Sequence, residues 1–383
     1  MIGGLWMKIL ALITEYNPFH NGHIYHIKKA QEKIEPDLTV VIMSGNFTQR
    51  GEIAITDKFT RTREVLKHVD LVIELPFLNA VSYADDFAIG AVHTAHLVGA
   101  THLVFGSEDG QIDNLKQAAK EAQELNANDD FKTLLKEGMS YPRALAQLAD
   151  SSLLSSPNNT LGIAYINAVE KLGANISVDT IQRIGNDYND KTLSSLNFSS
   201  ATSLRNSLLN GNYEEAKAFM PASLIEDMVS KHLASNEDLF ISLKIKILTM
   251  SLSELRTIYM MTEGLEHRLK EKIKEATTFD EFLSKVKTKR YTWTRLSRLM
   301  ISILMNVKKS DMTEEKREKS LRILGMNKIG QAHLKTLNDV HIITNVNKKN
   351  RHLVSREVTS TAVYNTVTQG QQNDFNTPVI IVP

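Results

Sequence analysis

The sequence from Ile9 to His23 reads ILALITEYNPFHNGH, an aliphatic run followed by a polar turn. The aliphatic part, Ile9–Ile13, predicts a buried β-strand. An amphipathic pattern from His23 to Lys33 predicts a helix directly after the turn. The start of the chain therefore indicates a strand–turn–helix unit, with polar residues of the turn at the carboxyl end of the strand.

Four further runs rich in aliphatic and β-branched residues predict strands: Leu38–Met43, Val69–Leu75, Leu103–Phe105 and Ile176–Arg183. Buried strands that alternate with helical patterns are typical of a parallel sheet covered on both faces. We therefore predict the α/β class, with a doubly wound, Rossmann-like parallel sheet. Such a sheet binds ligands beyond the carboxyl ends of its strands.

The pattern changes at Ala201, after which helical spacing dominates and little strand signal remains. We predict that the parallel sheet is followed by a mostly α-helical C-terminal domain. The α/β domain is placed at residues 7–215, the helical domain at 236–360 and an extended tail at 361–383. Pro221 falls in the predicted linker between the two domains.

Composition excludes several kinds of site. The 383 residues include no cysteine, which removes disulfides, thiolate metal sites and a cysteine nucleophile. No apolar run approaches the roughly 20 residues needed to span a bilayer, so we expect no membrane partner and a cytoplasmic location.

The formal net charge of +1 conceals an asymmetry. Residues 241–360 hold 25 basic and 13 acidic side chains, a net charge of +12, and the remaining 20 basic and 31 acidic side chains give −11. The basic region is either a polyanion-binding segment or a solvated helical face.

The two histidines of the first turn, His20 and His23, lie at the predicted helix N-terminus, where free amides and the helix dipole favour anions. Gly22 lets a ligand approach the backbone. Two imidazole donors there can bind phosphate oxygens and stabilise charge on a nucleotide α-phosphate. Polar turn residues and a metal-binding pair are the alternatives. The motif resembles the signature of the HIGH-type nucleotidyltransferases.

A second element, Ser199–Arg205, combines helix-capping hydroxyls with an arginine one turn later. Hydroxyls, free amides and a guanidinium suit the β- and γ-phosphates of a nucleotide. The element resembles the Ser-Ser-Thr-x-Ile-Arg motif of the same superfamily, and its alternative is an ordinary N-cap. Thr202 and Arg205 are the predicted ligands.

Other glycine-, asparagine- and arginine-containing turns lie near predicted strand ends or before a helix. They are Ser44–Glu52, which continues to Asp57 and Lys58; Phe105–Glu108, with Gly106; Ser156–Gly162; and Arg183–Gly185. Each one taken alone is explained by turn chemistry.

Four of these stretches together closely resemble the tRNA(Met) cytidine acetate ligase family of bacteria: Glu15–His23, Met43–Glu52, Pro157–Gly162 and Arg183–Asp190. The resemblance implies an enzyme that uses ATP to activate acetate as acetyl-adenylate. The acetyl group then passes to N4 of the wobble cytidine of elongator tRNA(Met), an RNA rather than a DNA partner.

The resemblance also implies an ATP site, for which Asn159 is favoured over Asn158. Its residues are Ile13, Thr14, Glu15, Tyr16, Asn17, Pro18, Phe19, His20, Asn21, Gly22, His23, Ile24, Tyr25, His26, Gly106, Asn158, Asn159 and Arg183.

Catalytic roles are predicted for His20 and His23 on the phosphate and for Lys58 or Arg205 on the departing pyrophosphate. Mg²⁺ is expected to accompany the phosphates without a protein metal site. Glu15 and Asp57 are the candidate bases.

The basic region then has a predicted role in RNA binding. Lys285, Lys287, Lys289 and Arg290 are expected to contact the tRNA backbone, as are Arg295 and Arg298 further along. Tyr291 and Trp293 are candidates for stacking on an unpaired base. For each residue a solvated face or a packed core aromatic is the alternative. Two other functions remain open: a metabolic nucleotidyltransferase of the same fold, and a non-catalytic nucleotide-sensing RNA-binding protein.

Overall fold

Eight strands build one sheet in the part of the chain that the computed structural model describes, which is residues 7–137, 139, 141–149, 152–183, 199–312 and 319–383. The strands are β1 (Ile9–Thr14), β2 (Leu38–Ser44), β3 (Leu71–Leu75), β4 (His102–Ser107), β5 (Ser177–Gln182), β6 (Ser320–Met326), β7 (His341–Ile343) and β8 (Ile380–Ile381). The spatial order is β5-β4-β1-β2-β3-β6-β7, and β8 pairs with β6.

The first five strands confirm the predicted parallel arrangement. β1 pairs in parallel with β2 and β4, β2 with β3, and β4 with β5. Every residue of β2 and β3 is buried, which explains their continuous aliphatic sequences. The turns after β1, β2 and β4 therefore meet at the carboxyl edge of the sheet, where Arg183 directly follows β5.

The C-terminal region contributes three strands that the sequence did not predict. β6 runs antiparallel to β3, and β7 and β8 run parallel to β6. The predicted extended tail is also different, because residues 361–368 belong to a helix and β8 lies inside the tail. The sheet is therefore mixed rather than purely parallel, and residues from 320 onward return to the α/β layer.

Helices cover both faces of the sheet and form the C-terminal helical part. They are α1 (Asn21–Ile34), α2 (Lys58–Val65), α3 (Phe77–Ala80), α4 (Ala84–Leu97), α5 (Ile112–Ala127), α6 (Asp129–Lys136), α7 (Tyr141–Leu148), α8 (Pro157–Leu172), α9 (Ala201–Leu209), α10 (Tyr213–Ala216), α11 (Ala222–Val229), α12 (Phe240–Thr249), α13 (Leu252–Thr257), α14 (Leu265–Glu275), α15 (Phe279–Val286), α16 (Trp293–Leu304), α17 (Lys328–Leu334) and α18 (Ser355–Thr368). None of these helices combines the length and the apolar character needed to cross a membrane.

Three large apolar cores hold the layers together. One lies between the sheet and helices α4, α5 and α8, and a second lies on the opposite sheet face beneath α1 and α2. Leu224 and Ile225 join that second core, so residues predicted as a linker pack against the α/β domain. Pro221 is the N-cap residue of α11 rather than part of a free connection. The third core belongs to helices α12–α16.

The helical part contacts the sheet domain through the loop after β2. Gly51 has a positive φ of 73°, and a Cβ atom there would lie 2.2 Å from the backbone nitrogen of Arg298. Ser297 on α16 donates a hydrogen bond from Oγ to the Gly51 carbonyl oxygen at 2.6 Å. Because only glycine allows this backbone contact, the N-terminal half of α16 is held close to the turns that follow β1 and β2.

Candidate active site

A cleft of about 1970 Å³ opens at the carboxyl ends of the parallel strands. Ten of the fourteen residues from Ile13 to His26 line it, including Glu15, His20 and His23. Of the other four, Phe19 and Ile24 belong to the apolar core, and Asn21 donates its backbone N–H to the Phe219 carbonyl. Pro18 follows Asn17 through a cis peptide bond.

His20 and His23 form a capping box at the start of α1. The Gly22 backbone N–H donates to Nδ1 of His20 at 3.1 Å, and the His20 backbone N–H donates to Nδ1 of His23 at 3.3 Å. Because each Nδ1 accepts a hydrogen bond, each neutral ring carries its proton on Nε2. The local backbone thus provides two distal N–H donors at a helix N-terminus.

Aromatic packing holds the two imidazoles in place. Their ring centroids lie 3.7 Å apart with an interplanar angle of 29°. His23 also stacks on Phe19 and contacts Tyr16, with centroid distances of 5.9 Å and 4.7 Å. Phe19 is completely buried. The predicted Glu15–His23 motif therefore contains both the donors and the apolar residues that orient them.

Arg183 gives this end of the cleft a positive field. Burial, followed by the charge of Arg183, lowers the pKa of both His20 and His26 to about 4. Burial and the neighbouring His20, Arg183 and His26 lower the pKa of His23 well below its usual range. The three rings are therefore neutral near pH 7. An anion placed between them and Arg183 would offset the unfavourable charge.

Gly106 provides space for this arrangement. A Cβ atom there would lie 3.2 Å from Cγ of Arg183 and 3.8 Å from Cδ2 of His26. The close neighbours of Gly106 are thus the stem of Arg183 and a histidine ring. Nε2 of His26 is buried and finds no hydrogen-bond partner within the described chain. The rest of the Arg183–Asp190 motif, residues 184–190, lies outside the described residues.

Glu15 is an acidic residue that lines the cleft. One of its carboxylate oxygens accepts the backbone N–H of Gln49, and burial raises the pKa of the carboxyl group. Behind it, the fully buried Arg61 donates to the carbonyl oxygens of Glu15 at 2.7 Å and Ser44 at 3.0 Å. Arg61 therefore joins the ends of β1 and β2. Asp57, the other candidate base, caps α2 by accepting the Thr60 N–H and is a structural residue.

The predicted Ser199–Arg205 element borders the same cleft. The Ser200 side chain caps α9 by accepting the Ser203 N–H at 3.1 Å. Arg205 donates to the Asn17 carbonyl at 2.8 Å and forms an ion pair with Glu52 at 3.1 Å. Thr202 Oγ1 accepts another Arg205 hydrogen bond at 3.2 Å. The element is thus joined to the His20 turn through Asn17. Phosphate binding by Thr202 and Arg205 stays a prediction.

The two asparagines before α8 differ in position. Asn158 lines the cleft and donates its side-chain amide to Glu108 at 2.7 Å. Asn159 is buried, and its Oδ1 accepts the backbone N–H of Glu108 at 2.9 Å. Asn159 therefore fixes the loop after β4, whereas Asn158 lines the cleft. The preference for Asn159 as an ATP contact stays a prediction.

Lys58 requires a correction. Its side chain is completely buried, and its Nζ lies 2.8 Å from Glu74 and 2.9 Å from Asp374. It does not line the cleft. With its charge paired to two buried carboxylates, Lys58 is a structural cation and does not reach a departing pyrophosphate.

The basic loop between α15 and α16 shows where the predicted RNA-binding residues lie. Arg290 and Tyr291 line the cleft. Lys285 instead pairs with Glu275 and Glu281, and Lys287 lies 5.7 Å from the ring centroid of Trp293. Lys289 is exposed. Of these four basic residues, Arg290 lines the same cleft as the nucleotide motifs.

Three cleft residues at the start of α4 are not part of the sequence prediction: Tyr83, Asp85 and Asp86. They follow β3 through the short helix α3, so they lie at the carboxyl edge where ligands are expected. The sequence signal for these residues is their position shortly after the end of a predicted strand, without the glycines that mark the other turns.

The side chains of the cleft indicate how Mg²⁺ would be held. The described residues contain no cluster of three or more His, Cys, Asp or Glu side chains suited to a metal ion. Mg²⁺ commonly retains waters and binds mainly through substrate phosphates, so a bound triphosphate rather than a protein cage fits this cleft.

Comparisons with known proteins agree with this geometry. The family model described as HIGH Nucleotidyl Transferase matches residues 7–377. The chain is 42% identical over 379 residues to a tRNA(Met) cytidine acetate ligase of Staphylococcus saprophyticus, which covers 98% of this chain and 100% of that protein. A Staphylococcus aureus protein of the same name is 41% identical over 379 residues, with coverage of 98% and 99%.

A solved structure extends the comparison. The crystal structure of Thermotoga maritima TmcAL bound with alpha-thio ATP is similar with a TM-score of 0.86 at 30% identity. The match covers 98% of this chain and 100% of the other.

Proposed function

The chain belongs to the tRNA(Met) cytidine acetate ligase family of the HIGH nucleotidyltransferases, and from that membership we propose that it uses ATP and acetate to acetylate N4 of the wobble cytidine of elongator tRNA(Met). The observation that carries the proposal is the pair of Nε2–H donors at the α1 N-terminus, close to Arg183. The tRNA substrate makes the cytoplasm the expected compartment.

In the first half-reaction, a carboxylate oxygen of acetate attacks the α-phosphorus of ATP. The bond from that phosphorus to the oxygen bridging to the β-phosphate breaks, and pyrophosphate leaves with the electron pair. His20 and His23 donate to the α-phosphate oxygens, where negative charge accumulates in the transition state. Arg183 and Arg205 face the triphosphate as fixed cations. Acetyl-AMP remains in the cleft.

In the second half-reaction, the N4 nitrogen of cytidine attacks the acetyl carbon. The bond from that carbon to the AMP oxygen breaks, and AMP leaves with the electron pair. The nitrogen loses one proton, which we assign to the Glu15 carboxylate. Burial raises the pKa of Glu15, which makes its carboxylate a better proton acceptor than an exposed one.

We propose that Mg²⁺ binds together with the triphosphate. The phosphate oxygens would be its ligands, and the ion would neutralise part of their negative charge. This chain's own residues bind and orient the phosphates through neutral imidazole donors and guanidinium groups. The absence of cysteine from the sequence agrees with an acyl group carried on AMP rather than on a thiol.

Acetate-dependent ATP–pyrophosphate exchange with the purified chain tests the first half-reaction. We expect exchange only when acetate is present. Exchange with a nucleotide-type substrate but not with acetate would contradict the proposal and support a metabolic nucleotidyltransferase. Nucleoside analysis of tRNA from cells lacking the protein tests the product, because N4-acetylcytidine should be missing from elongator tRNA(Met).

A further inference from the structure

Two arginines and two tyrosines form a cationic cluster that lines the cleft between α16 and the start of α4. The guanidinium carbon of Arg295 lies 4.8 Å from the ring centroid of Tyr291 and 5.9 Å from that of Tyr83. The guanidinium carbon of Arg298 lies 5.5 Å from the Tyr83 centroid. All four residues line the cleft, and we call them the arginine–tyrosine shelf.

The shelf is held rigidly by its own neighbours. The hydroxyls of Tyr291 and Thr262 are hydrogen-bonded at 2.8 Å, and the Tyr83 ring packs edge-on against Tyr259. Arg298 is only 7% exposed and donates from Nη1 to the Gln49 carbonyl at 2.9 Å. Its buried Nε meets no hydrogen-bond acceptor in the part of the chain that is described. These contacts orient the shelf before any ligand arrives.

The shelf lies one residue away from Glu15, the proposed base of the transfer step. Gln49 donates its backbone N–H to the Glu15 carboxylate and accepts from Arg298 through its carbonyl. A single residue of the β2 loop thus separates Glu15 from the shelf. His20, at the start of α1, lies on the same cleft wall as Glu15. The cleft volume of about 1970 Å³ exceeds the roughly 300–1000 Å³ of a typical small-molecule pocket, which leaves room for a second ligand beside a nucleotide.

We infer that the arginine–tyrosine shelf binds the unpaired pyrimidine base that accepts the acetyl group, with the base stacked on the outer face of the Arg295 guanidinium. This inference rests on the proposed function and identifies the acceptor part of the same cleft. Unpaired bases of RNA stack on aromatic rings and on arginine planes, and the two positive charges suit the phosphates on either side of such a base. Acetate has no aromatic face that would stack on the Arg295 guanidinium.

The test separates the two half-reactions. Arg295→Leu should lower kcat/KM for acetyl transfer to a tRNA(Met) transcript by about 10- to 100-fold, the loss of roughly one stacked base. Acetate-dependent exchange should stay within about twofold of the unaltered enzyme. Arg295→Lys should lose most of the transfer as well, because it keeps the charge without the plane. Arg143→Leu, an exposed arginine on α7, is the matched control and should change neither reaction.

Tyr291 supplies an independent variant, because Tyr291→Leu removes the ring that packs against the Arg295 guanidinium and should also impair transfer. A pyrrolocytidine at the wobble position of an anticodon stem-loop should be quenched on binding, and Arg295→Leu should abolish the quenching. Unchanged transfer and quenching, or equal loss of exchange and transfer, would overturn the inference. If the unaltered enzyme lacks acetate-dependent exchange, the proposed function fails, while the quenching experiment still decides whether the shelf binds the base.

Discussion

The backbone nitrogen of His20 donates to Nδ1 of His23 at 3.3 Å, and this hydrogen bond orients the His23 ring with its Nε2–H as the distal donor. The same geometry applies to His20, whose Nδ1 accepts from Gly22. Helix capping and phosphate binding therefore use opposite nitrogens of the same rings. The two roles can be separated by substitutions that imitate one nitrogen at a time.

His23→Asn keeps an acceptor near the position of Nδ1 but removes the distal donor. Acetate-dependent ATP–pyrophosphate exchange should fall by about 100- to 1000-fold, the usual loss for one donor to a developing oxyanion. Binding of tRNA and the unfolding midpoint should remain close to normal. His23→Gln, which imitates Nε2 instead, should retain more exchange and less stability. Equal exchange in the two variants would contradict a specific role for the distal donor.

Nucleotide binding should be linked to proton uptake. The pKa of His20 is about 4 in the free protein because of burial and Arg183. A bound triphosphate supplies negative charge and raises that pKa, so the complex holds more protons than the free protein at pH 5–6. The added proton enters at Nδ1 and replaces the hydrogen bond from the Gly22 N–H. Calorimetry of ATP binding without acetate, in buffers of different ionisation enthalpy, should show this uptake. His20→Asn should reduce it, whereas identical uptake in the variant would assign the protons to other groups.

The first five strands were predictable because each is a continuous aliphatic run, and the His20 turn was predictable because its chemistry is contiguous in sequence. β6 was missed because its run SLRILGM contains Arg322, which is buried against Asp374 52 residues later in the chain. A charged residue in a candidate strand argues against burial unless its partner is known, and that partner is set by tertiary structure.

Lys58 illustrates the same limit for the site. In the sequence it follows a strand-end loop rich in glycine and asparagine, as a phosphate-binding lysine would. Its partners, Glu74 and Asp374, lie 16 and 316 residues away. The local sequence pattern predicts which residues lie near the end of a strand. Only the packing of α2 against β3 and the C-terminal segment determines which of them face inward.

Removing the distant partner should therefore destabilise the fold. Burial opposes ionisation of Asp374, but Lys58 and Arg322 outweigh it and lower the pKa to about 2. Asp374→Asn leaves the two buried cations with less negative charge and should reduce the free energy of unfolding by about 3–5 kcal/mol. Chemical denaturation measures the change. Asp129→Asn, at a side chain that is 97% exposed, should alter it by less than about 1 kcal/mol.

Glu15 and Asp57 can be distinguished by the half-reaction each affects. Glu15→Gln should slow acetyl transfer by about 100-fold, the lower end of the usual range for a general base, and should leave exchange largely intact. Asp57→Asn retains the α2 cap and should affect neither reaction.

The pH dependence of acetyl transfer provides a second test of Glu15 as the base. Burial raises its pKa, so the carboxylate is protonated at a higher pH than an exposed glutamate. Since the proposed base is the unprotonated form, the single-turnover transfer rate should rise with pH through that raised pKa. The rise should disappear in Glu15→Gln. A profile that persists unchanged in the variant would mean that another group accepts the proton.

The loop between α15 and α16 should determine the salt dependence of RNA binding. Replacing Lys285, Lys287, Lys289 and Arg290 with Gln should weaken tRNA binding and reduce the slope of log K against log salt by about 3 if all four contact phosphates. Because Lys285 already pairs with Glu275 and Glu281, a reduction nearer 2 would indicate that this lysine keeps its protein partners. Filter binding at salt concentrations from about 50 to about 300 mM, where such plots are linear, measures the change in slope.

A charge-matched control comes from the acidic half of the chain. Lys116, Lys120, Lys132 and Lys217 are exposed on α5, α6 and the end of α10, and none of them lines the cleft. Replacing these four with Gln changes the net charge by the same amount. If both quadruple variants flatten the slope equally, the effect comes from net charge and the loop is not an RNA contact. A reduction confined to the loop variant would mean that these four basic residues contact RNA phosphates and release their counterions. The RNA would then bind next to Tyr291, which belongs to the shelf at which the acceptor base is expected to bind.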